Sequence, residues 1–328
     1  MTPGQLKIFV DPVDGKALEL RDANVVDGQV KAGALSAGPG GSTYPILAFV
    51  PRFVAPQNYA DNFGLQWQAH RRTQLDSQTG STLSRDRMVA TTNWPADMRG
   101  MRILEAGSGA GRFTEILAAT GGEVVSFDYS SAAVANYENN RRFPNVAVFQ
   151  GDIYQIPLRK ASFDKVICLG VLQHTPDVGR SFRSLAEMVR PGGELVVDVY
   201  PRRLRAMLHW KYALRPLTTS LPPPLLYRLV SWYAPKLVPV AKLARRVAGR
   251  AGQRLVPILD QSDKPVAPEV QRDWTVLDTY DALSAKFDTP QTPAALRRFF
   301  EENGFVNVEV LTDVPKAFPL FGRGRRPL

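Results

Sequence analysis

Cysteine is almost missing from this chain of 328 residues, which has Cys168 alone. A single cysteine cannot form an intrachain disulfide, and it excludes a cysteine-rich zinc site and a secreted disulfide framework. The first residues lack the apolar stretch and cleavage pattern of a signal peptide. The longest uncharged run, residues 32–51, contains glycines and prolines that a membrane-spanning helix tolerates poorly. We therefore expect a cytoplasmic protein without a transmembrane helix.

Acidic residues are absent from residues 201–259, a segment with 12 lysines and arginines that include Arg205. The whole chain has 41 basic and 31 acidic residues, a net charge of +10, so the remainder has 29 basic residues and a net charge of −2. The excess positive charge therefore lies in this one segment. Such a segment favours binding to an anionic partner. The alternatives are an acidic substrate, an anionic membrane and a nucleic acid.

The chain divides into four parts by its apolar pattern and turn signals. Residues 1–57 contain short strand patterns and the turns Asp14-Gly15 and Asp27-Gly28, which predict a small β-rich module. Residues 58–97 are expected to form a helical cap or linker. Residues 98–200 and 271–328 alternate short apolar runs with helical stretches, which predicts an α/β fold with a parallel, doubly wound sheet. Residues 201–270 interrupt this pattern as a basic helical insertion.

The individual elements of the α/β part follow from the same pattern. We predict strands that begin at residue 102 and span residues 123–128, 146–150, 165–170, 194–200, 306–311 and 318–321. Helices are predicted to begin near residue 112 and to span residues 131–141, 181–189 and 293–303.

A glycine-rich turn follows the first predicted strand of this sheet, from Glu105 to Arg112. Glycines let a ligand approach backbone N–H groups at a helix start, so the turn predicts a nucleotide-like ligand. Asp128 ends the next strand, where an acid binds ribose hydroxyls, which suits both NAD and S-adenosyl-L-methionine. The dinucleotide-binding fingerprint has a glycine at the position where this chain has Arg112, and the negative charge of Glu105 would repel a pyrophosphate. S-adenosylmethionine is cationic and has no phosphate, so it is favoured.

A second acid, Asp152, follows the third strand of the sheet. A carboxylate there can accept a hydrogen bond from the exocyclic amino group of adenine while Ile153 packs on the ring. The chain resembles the class I S-adenosylmethionine-dependent methyltransferases of the type 11 kind. The resemblance rests on the glycine turn, Asp128, Asp152, Phe163-Asp164-Lys165-Val166 and Arg190-Pro191-Gly192-Gly193.

The resemblance covers about residues 98–200 and 271–328. It implies a Rossmann-like sheet of seven strands, the last antiparallel, with S-adenosylmethionine across the carboxyl ends of the first strands. It assigns cofactor contacts to Gly107, Gly109, Asp128 and Asp152, and we expect further contacts from Glu105, Ser108, Tyr129, Ile153 and Leu169.

The loop after the fourth strand contains His174, the best acid–base candidate. Methyl transfer to a hydroxyl needs an aligned acceptor and removal of its proton, and histidine titrates near neutrality. The alternative is that His174 only shapes the pocket. Cys168 lies inside an apolar strand and is expected to be a buried core thiol. Residues 169–172 lack the Asn/Asp-Pro-Pro-aromatic sequence of many enzymes that methylate nucleic-acid amines, which disfavours a DNA base as acceptor.

The acceptor is expected to be a small molecule, a glycan or a lipid-linked intermediate that is methylated at oxygen. Tyr59 and Trp67 resemble the aromatic N-terminal cap of small-molecule methyltransferases, and Tyr280 stands in a sequence of acids and aromatics that could line a pocket. Ordinary helix packing explains these residues equally well. Two rival functions remain open: an RNA methyltransferase that uses the basic segment, and a non-catalytic partner subunit that keeps the fold. The sequence does not indicate an oligomeric state.

The first module resembles the small zinc-ribbon-like domains found ahead of some bacterial methyltransferases. Cysteines would stand where this chain has Asp11 and Asp14, and a second cysteine pair is absent around Ser36 and Pro39. Carboxylates are poor substitutes for these soft ligands. We therefore predict a ribbon remnant without zinc, and no metal site elsewhere.

The basic segment is predicted to contain an amphipathic helix over residues 237–251. One face is assigned to Lys242, Arg245, Arg246 and Arg250, and the opposite face to Val240, Leu243, Ala244, Val247 and Ala248. This pattern is typical of an interfacial membrane helix and of a lid with its apolar face down. A simply solvated basic face is the third interpretation.

Overall fold

The computed structural model describes residues 1–55, 58–203 and 209–328, without the side chains of Asp61 and Arg250. The predicted end of the first module at residue 57, the cation Arg205 and the side chain of Arg250 therefore lie outside the described residues.

The N-terminal module is an antiparallel sheet docked on one edge of the main sheet. A 3-10 turn, Gln5–Ile8, precedes strands β1 (Glu19–Val26), β2 (Gln29–Ser36), β3 (Thr43–Leu47) and β4 (Val50–Pro51), which pair in that order. The predicted turn glycines Gly15 and Gly28 have φ of 75° and 73°, as a tight turn requires. The ring of Phe9 lies 5.2 Å from that of Phe149, and the backbone N–H of Phe53 donates to the carbonyl of Gln150. The module therefore shares the core of the chain.

The predicted cap segment is helical over most of its length. Its helices are α1 (Asp61–Ala69), α2 (Asp76–Thr79) and α3 (Leu83–Thr92). Gly64 of α1 lies against Ser131, since an added Cβ would meet the hydroxyl at 2.4 Å. The cap is therefore held close to the main sheet.

The main sheet confirms the predicted fold class. Its seven described strands are β5 (Arg102–Ala106), β6 (Glu123–Asp128), β7 (Val146–Gln150), β8 (Phe163–Cys168), β9 (Val189–Asp198), β10 (Val306–Thr312) and β11 (Leu320–Arg325). They are arranged β10-β11-β9-β8-β5-β6-β7, and β11 is antiparallel to both of its neighbours. This is the Rossmann-like order with an antiparallel last strand that the resemblance implied.

Helices cover the main sheet and form the insertion. In the described residues they are α4 (Arg112–Ala119), α5 (Ala132–Asn140), α6 (Val178–Met188), α7 (Trp210–Thr218), α8 (Pro223–Gln253), α9 (Pro268–Ser284) and α10 (Pro293–Glu302).

Three predicted strands had wrong limits, and the helix predicted over residues 181–189 spans Val178–Met188 because β9 begins at Val189. The fourth strand ends at Cys168 instead of residue 170, because the chain turns at Gly170 with φ of 77°. The fifth strand begins at Val189 instead of residue 194, since residues 190–193 lie within β9, where the pairing with β8 has a register shift. The last strand runs to Arg325, beyond the predicted residue 321, because it pairs with β9 over that length.

The insertion packs as a helical unit of its own. The predicted helix over residues 237–251 is only part of α8, which begins at Pro223 and loses helical geometry at Ala248 and Gly249. Buried Leu226, Val230 and Ala234 of α8 pack with buried side chains of α9. The predicted insertion limit at residue 270 lies inside α9. Among the helices that the structure describes, none combines the length and the hydropathy needed to span a bilayer.

Candidate active site

The glycine turn between β5 and α4 uses its own backbone amides. Gly107 and Ser108 both donate to the carbonyl of Phe127, at 2.8 and 3.0 Å, and Gly109 donates to Oδ2 of Asp128 at 2.8 Å. Three amides that would hold a pyrophosphate in a dinucleotide site are thus already satisfied. The turn therefore suits a ligand without phosphate, which supports the choice of S-adenosylmethionine over NAD.

The glycines of this turn are required by close packing. Gly107, Gly109 and Gly111 have φ of 74°, 53° and 88°. A Cβ on Gly107 would lie 2.2 Å from Val171 of the loop after β8, and one on Gly109 would lie 2.9 Å from the indole of Trp67. The turn is therefore enclosed by the cap and by the loop that carries His174.

The two predicted cofactor acids lie at the carboxyl ends of adjacent strands. Besides Gly109, Asp128 accepts hydrogen bonds from the backbone N–H and hydroxyl of Ser130, at 2.8 and 2.7 Å. Asp152 accepts one from the N–H of Tyr154 at 2.8 Å. Burial is the largest effect on both carboxyls and raises the pKa of each. Polar, half-buried carboxylates of this kind can bind ribose hydroxyls and an adenine amino group.

Glu105 faces the protein interior. Its Oε2 accepts hydrogen bonds from the hydroxyls of Thr114 and Ser126, at 2.5 and 2.8 Å, while Oε1 is buried with no hydrogen bond to a described residue. Burial raises the pKa of this carboxyl to about 7. Glu105 therefore ties β5 to α4 and β6, and a direct cofactor contact stays a prediction.

The cap places aromatic rings beside the acids. The ring of Tyr59 lies 4.8 Å from that of Tyr129 and 5.4 Å from that of Phe287. Burial raises the pKa of Tyr59 strongly, and the charges of nearby residues, including Asp152 and Asp128, raise it further. Tyr59 and Trp67 therefore both join the predicted site.

His174 lies in a half-buried aromatic setting. Its Nδ1 is 3.0 Å from the carbonyl oxygen of Phe287, and its ring is 5.5 Å from that of Phe63 and 5.4 Å from that of Tyr200. A carbonyl only accepts hydrogen bonds, so the neutral ring carries its hydrogen on Nδ1. The lone pair of Nε2 is then available to take a proton.

An ion pair beneath this loop was not predicted from the sequence. Asp198, the last residue of β9, has a buried side chain that lies 2.5 Å from Nη2 of Arg87 in α3 and also accepts from the N–H of Gly170. An acid at the end of an apolar strand was the available signal. The partner on α3 has no comparable signal, because its position depends on how the cap folds back.

Charged side chains also converge beside the glycine turn. Burial, and to a smaller extent the charge of Arg87, lowers the pKa of Arg112 to about 9. Burial raises the pKa of Asp278 on α9 to about 7, against the opposing charge of Lys264. The amide of Gln261 donates to Asp278 at 2.7 Å. These groups extend the site toward the insertion.

One predicted residue, Tyr280, does not join this group. Tyr280 is fully buried within the insertion, with its ring 5.4 Å from that of Tyr227 and its hydroxyl toward the carbonyl of Pro223. It lies on the opposite face of α9 from Asp278, so a place in the substrate pocket is not supported. Ile153 and Leu169 are buried in two apolar clusters, and the buried hydroxyl of Ser108 in the glycine turn has no hydrogen bond to a described residue, so the cofactor contacts of all three stay predictions.

Cys168 is a core thiol. It is fully buried in the main apolar cluster, and burial raises the pKa of the thiol well above its usual value. A covalent mechanism through this residue is therefore disfavoured.

The predicted ribbon remnant is β-rich, but its zinc-ribbon ancestry is not shown. Asp11 accepts hydrogen bonds from the N–H of Val13 at 2.8 Å and the hydroxyl of Tyr44 at 3.2 Å, and Asp14 pairs with Lys16 at 2.7 Å. Within the described part of the chain, no group of three metal-ligating side chains comes together. The lack of zinc stays a prediction.

Comparison with known proteins identifies the central segment. Residues 104–197 match a family model described as a methyltransferase domain. The chain is 35% identical over 102 residues to a probable S-adenosylmethionine-dependent methyltransferase of Mycobacterium tuberculosis, covering 31% of this chain and 36% of that one. It is 34% identical over 151 residues to a demethylmenaquinone methyltransferase of Beutenbergia cavernae, covering 45% and 61%.

A third relative is a ubiquinone biosynthesis O-methyltransferase of Coxiella burnetii, 28% identical over 114 residues and covering 34% and 49%. The chain thus spans less than two thirds of the length of each of these relatives. The predicted enzyme class and cofactor are confirmed at the level of the matched segment: residues 104–197 form a domain of the S-adenosylmethionine-dependent methyltransferase kind.

Proposed function

We propose that the whole chain is an S-adenosylmethionine-dependent methyltransferase that methylates a hydroxyl oxygen of a small molecule, a glycan or a lipid-linked intermediate. The proposal that oxygen is the methyl-accepting atom rests on the hydrogen bond from Nδ1 of His174 to the carbonyl of Phe287. It fixes the tautomer in which Nε2 is a proton acceptor.

The cofactor would be held by the residues around the glycine turn. Asp128 would bind the ribose hydroxyls, and Asp152 the adenine amino group, with charge-assisted hydrogen bonds. Trp67 and Tyr59 would cover the site from the cap and exclude water. When bound, the cofactor supplies an activated methyl group on a cationic sulfur.

His174 would act on the acceptor. Its Nε2 takes the hydroxyl proton as the oxygen becomes nucleophilic, and its hydrogen bond to Phe287 keeps the ring in place. The imidazolium that results donates from Nδ1 to the same carbonyl, so the charge is partly stabilised. Phe63 and Tyr200 would hold an apolar part of the acceptor against this ring.

The names of the relatives support a small or lipid-soluble acceptor. Demethylmenaquinone and ubiquinone precursors are quinone-type molecules, and one relative is named an O-methyltransferase. The aromatic surroundings of His174 suit such ring-containing molecules.

Labelling distinguishes this proposal from its rivals. The protein is incubated with isotopically labelled S-adenosylmethionine and the polar, lipid and RNA pools of a cell extract, with a His174→Ala variant as the matched control. We expect label in the polar or lipid pool from the wild type, reduced about 10²- to 10⁴-fold by the variant. Label in the RNA pool alone would replace the proposal with the RNA methyltransferase. Tight cofactor binding without label in any pool would favour a non-catalytic subunit.

A further inference from the structure

One face of α8 exposes a continuous apolar stripe. Six large apolar side chains of this helix are between 45% and 79% exposed: Leu225, Leu229, Trp232, Val240, Leu243 and Val247. Together with Lys236 they follow each other at intervals of three or four residues. At about 100° per residue they occupy only about 80° of the helix circumference. At 1.5 Å per residue the stripe is about 33 Å long.

The stripe points away from the rest of the protein. The opposite face of α8 holds buried Leu226, Val230, Ala234 and Ala241, which pack within the insertion. The hydroxyl of Tyr227, on the inner side, lies 3.0 Å from Nε2 of His70 at the end of α1. This corrects the lid interpretation, in which Val240, Leu243 and Val247 would face inward. The apolar core of the insertion is made by other residues.

Basic side chains accompany the stripe. Arg228 and Arg246 are exposed on one flank, and Lys236 lies within the stripe with Nζ 3.8 Å from the centre of the Trp232 ring. Helix α8 contains no acidic residue, and neither does any other position of residues 201–259. The outer face is therefore both apolar and uniformly positive.

One cation of the predicted basic face has a different role. Arg245 is only partly exposed, and its Nη1 lies 3.1 Å from Asp263 and 3.9 Å from buried Asp260. It holds α8 to the segment before α9, so it is unsuitable for testing a surface interaction. Arg228, Lys236 and Arg246 are the appropriate residues.

We propose that this outer face of α8 docks on an anionic lipid surface. The apolar stripe enters the boundary between headgroups and acyl chains, Trp232 lies at the interface, and the flanking cations contact the headgroups. RNA is a weaker candidate, because single strands are held by stacking on several aromatic rings and this stripe has one ring among aliphatic side chains. The inference does not depend on the proposed methyl transfer.

Vesicle flotation tests the surface directly, without cofactor or acceptor. Wild type is compared with an apolar variant, Leu229→Gln/Leu243→Gln/Val247→Gln, and with a basic variant, Arg228→Gln/Lys236→Gln/Arg246→Gln. Exposed residues elsewhere supply matched controls: Val13→Gln/Val25→Gln/Val89→Gln and Lys7→Gln/Arg183→Gln/Arg298→Gln. Each protein is mixed with phosphatidylglycerol-containing vesicles and with pure phosphatidylcholine vesicles.

We expect wild type and both controls to float with the anionic vesicles and less with the neutral ones. The basic variant should bind anionic vesicles about 100-fold more weakly, since each of the three cations near such a surface contributes about a factor of five. The apolar variant should lose binding as well. Equal binding by wild type and both stripe variants, or no binding by wild type, overturns the proposal.

Trp232 provides a second readout that separates lipid from RNA. Vesicles with brominated acyl chains should quench part of the tryptophan emission of the wild type and much less in a Trp232→Phe variant, because the other four tryptophans are buried or half-buried. Salt-sensitive binding of single-stranded RNA that depends on Arg228, Lys236 and Arg246, without quenching by the vesicles, would assign the surface to RNA and overturn the proposal.

Discussion

Nδ1 of His174 lies 3.0 Å from the carbonyl oxygen of Phe287, a residue 113 positions further along the chain. The bond joins the loop after β8 to the segment that follows α9, so the position of that segment determines how the imidazole is oriented. Phe287 also packs on Tyr59 of the cap, at 5.4 Å between rings. Three parts of the chain that are distant in sequence therefore meet around one proton-accepting nitrogen.

Two substitutions separate the roles of the two imidazole nitrogens. His174→Asn keeps an N–H near the position of Nδ1 and removes Nε2, whereas His174→Gln removes the Nδ1–H and places near Nε2 an amide that is not a base, so both variants lose the proton acceptor. If Nε2 is the base, the turnover of His174→Asn should fall about 10²- to 10⁴-fold, with cofactor affinity nearly unchanged. Steady-state kinetics and calorimetry measure the two quantities. A decrease of less than tenfold in His174→Asn would assign His174 to pocket shape alone.

Glu105 should make the stability of the protein depend on pH. Its pKa is raised from 4.5 to about 7 in the folded state, so folding favours the protonated form. Its stabilising contribution is therefore complete below about pH 4.5 and is lost as pH rises through about 7, a loss of order 3 kcal/mol. Glu105→Gln, which cannot ionise, should be more stable than wild type at pH 8 and similar at pH 4.5.

The measurement is the difference in free energy of unfolding between wild type and variant across this pH range, with exposed Glu302→Gln as control. A difference that does not change with pH would show that Glu105 titrates as an ordinary surface carboxyl.

The packing of the glycine turn is tested by a pair of glycine-to-alanine variants. A Cβ on Gly111 would lie 2.1 Å from Oδ1 of Asn136, whereas Gly100 has a similar positive φ of 76° and nothing within 4 Å. Gly100→Ala should cost about 1–2 kcal/mol from backbone strain alone. Gly111→Ala should cost about 2–5 kcal/mol, since overpacking adds to that strain. Equal losses in denaturant titrations would contradict the close packing.

The strands of the main sheet and the positions of the cofactor acids could be predicted because they depend on local patterns, whereas the antiparallel last strand was expected only from the family resemblance. β6 and β7 have the predicted limits, and Asp128 stands at a strand end beside the glycine turn, as expected. Apolar alternation and glycine spacing involve residues that are close together in the chain, so they can be recognised from a single sequence.

The orientation of α8 could not be predicted in the same way. Its periodicity predicts an apolar face for Val240, Leu243 and Val247, but the helix begins at Pro223 and buries a different face. Periodicity shows which residues share a face, and only the packing partners decide which face is covered. The contact of Phe287 with His174 could not be predicted either. Every residue has a backbone carbonyl, so the side-chain pattern does not indicate which carbonyl lies beside the imidazole.

The central claim is that Asp128 and the glycine turn bind S-adenosylmethionine, and calorimetry of that ligand tests it most directly. Wild type should bind one molecule per chain, and Asp128→Ala should bind it about 10- to 100-fold more weakly, as expected for the loss of a hydrogen bond to a charged group. Asp14→Ala, an exposed carboxylate in the N-terminal module, should bind like wild type. Unchanged affinity in a folded Asp128→Ala protein, or no binding by wild type, would contradict the account.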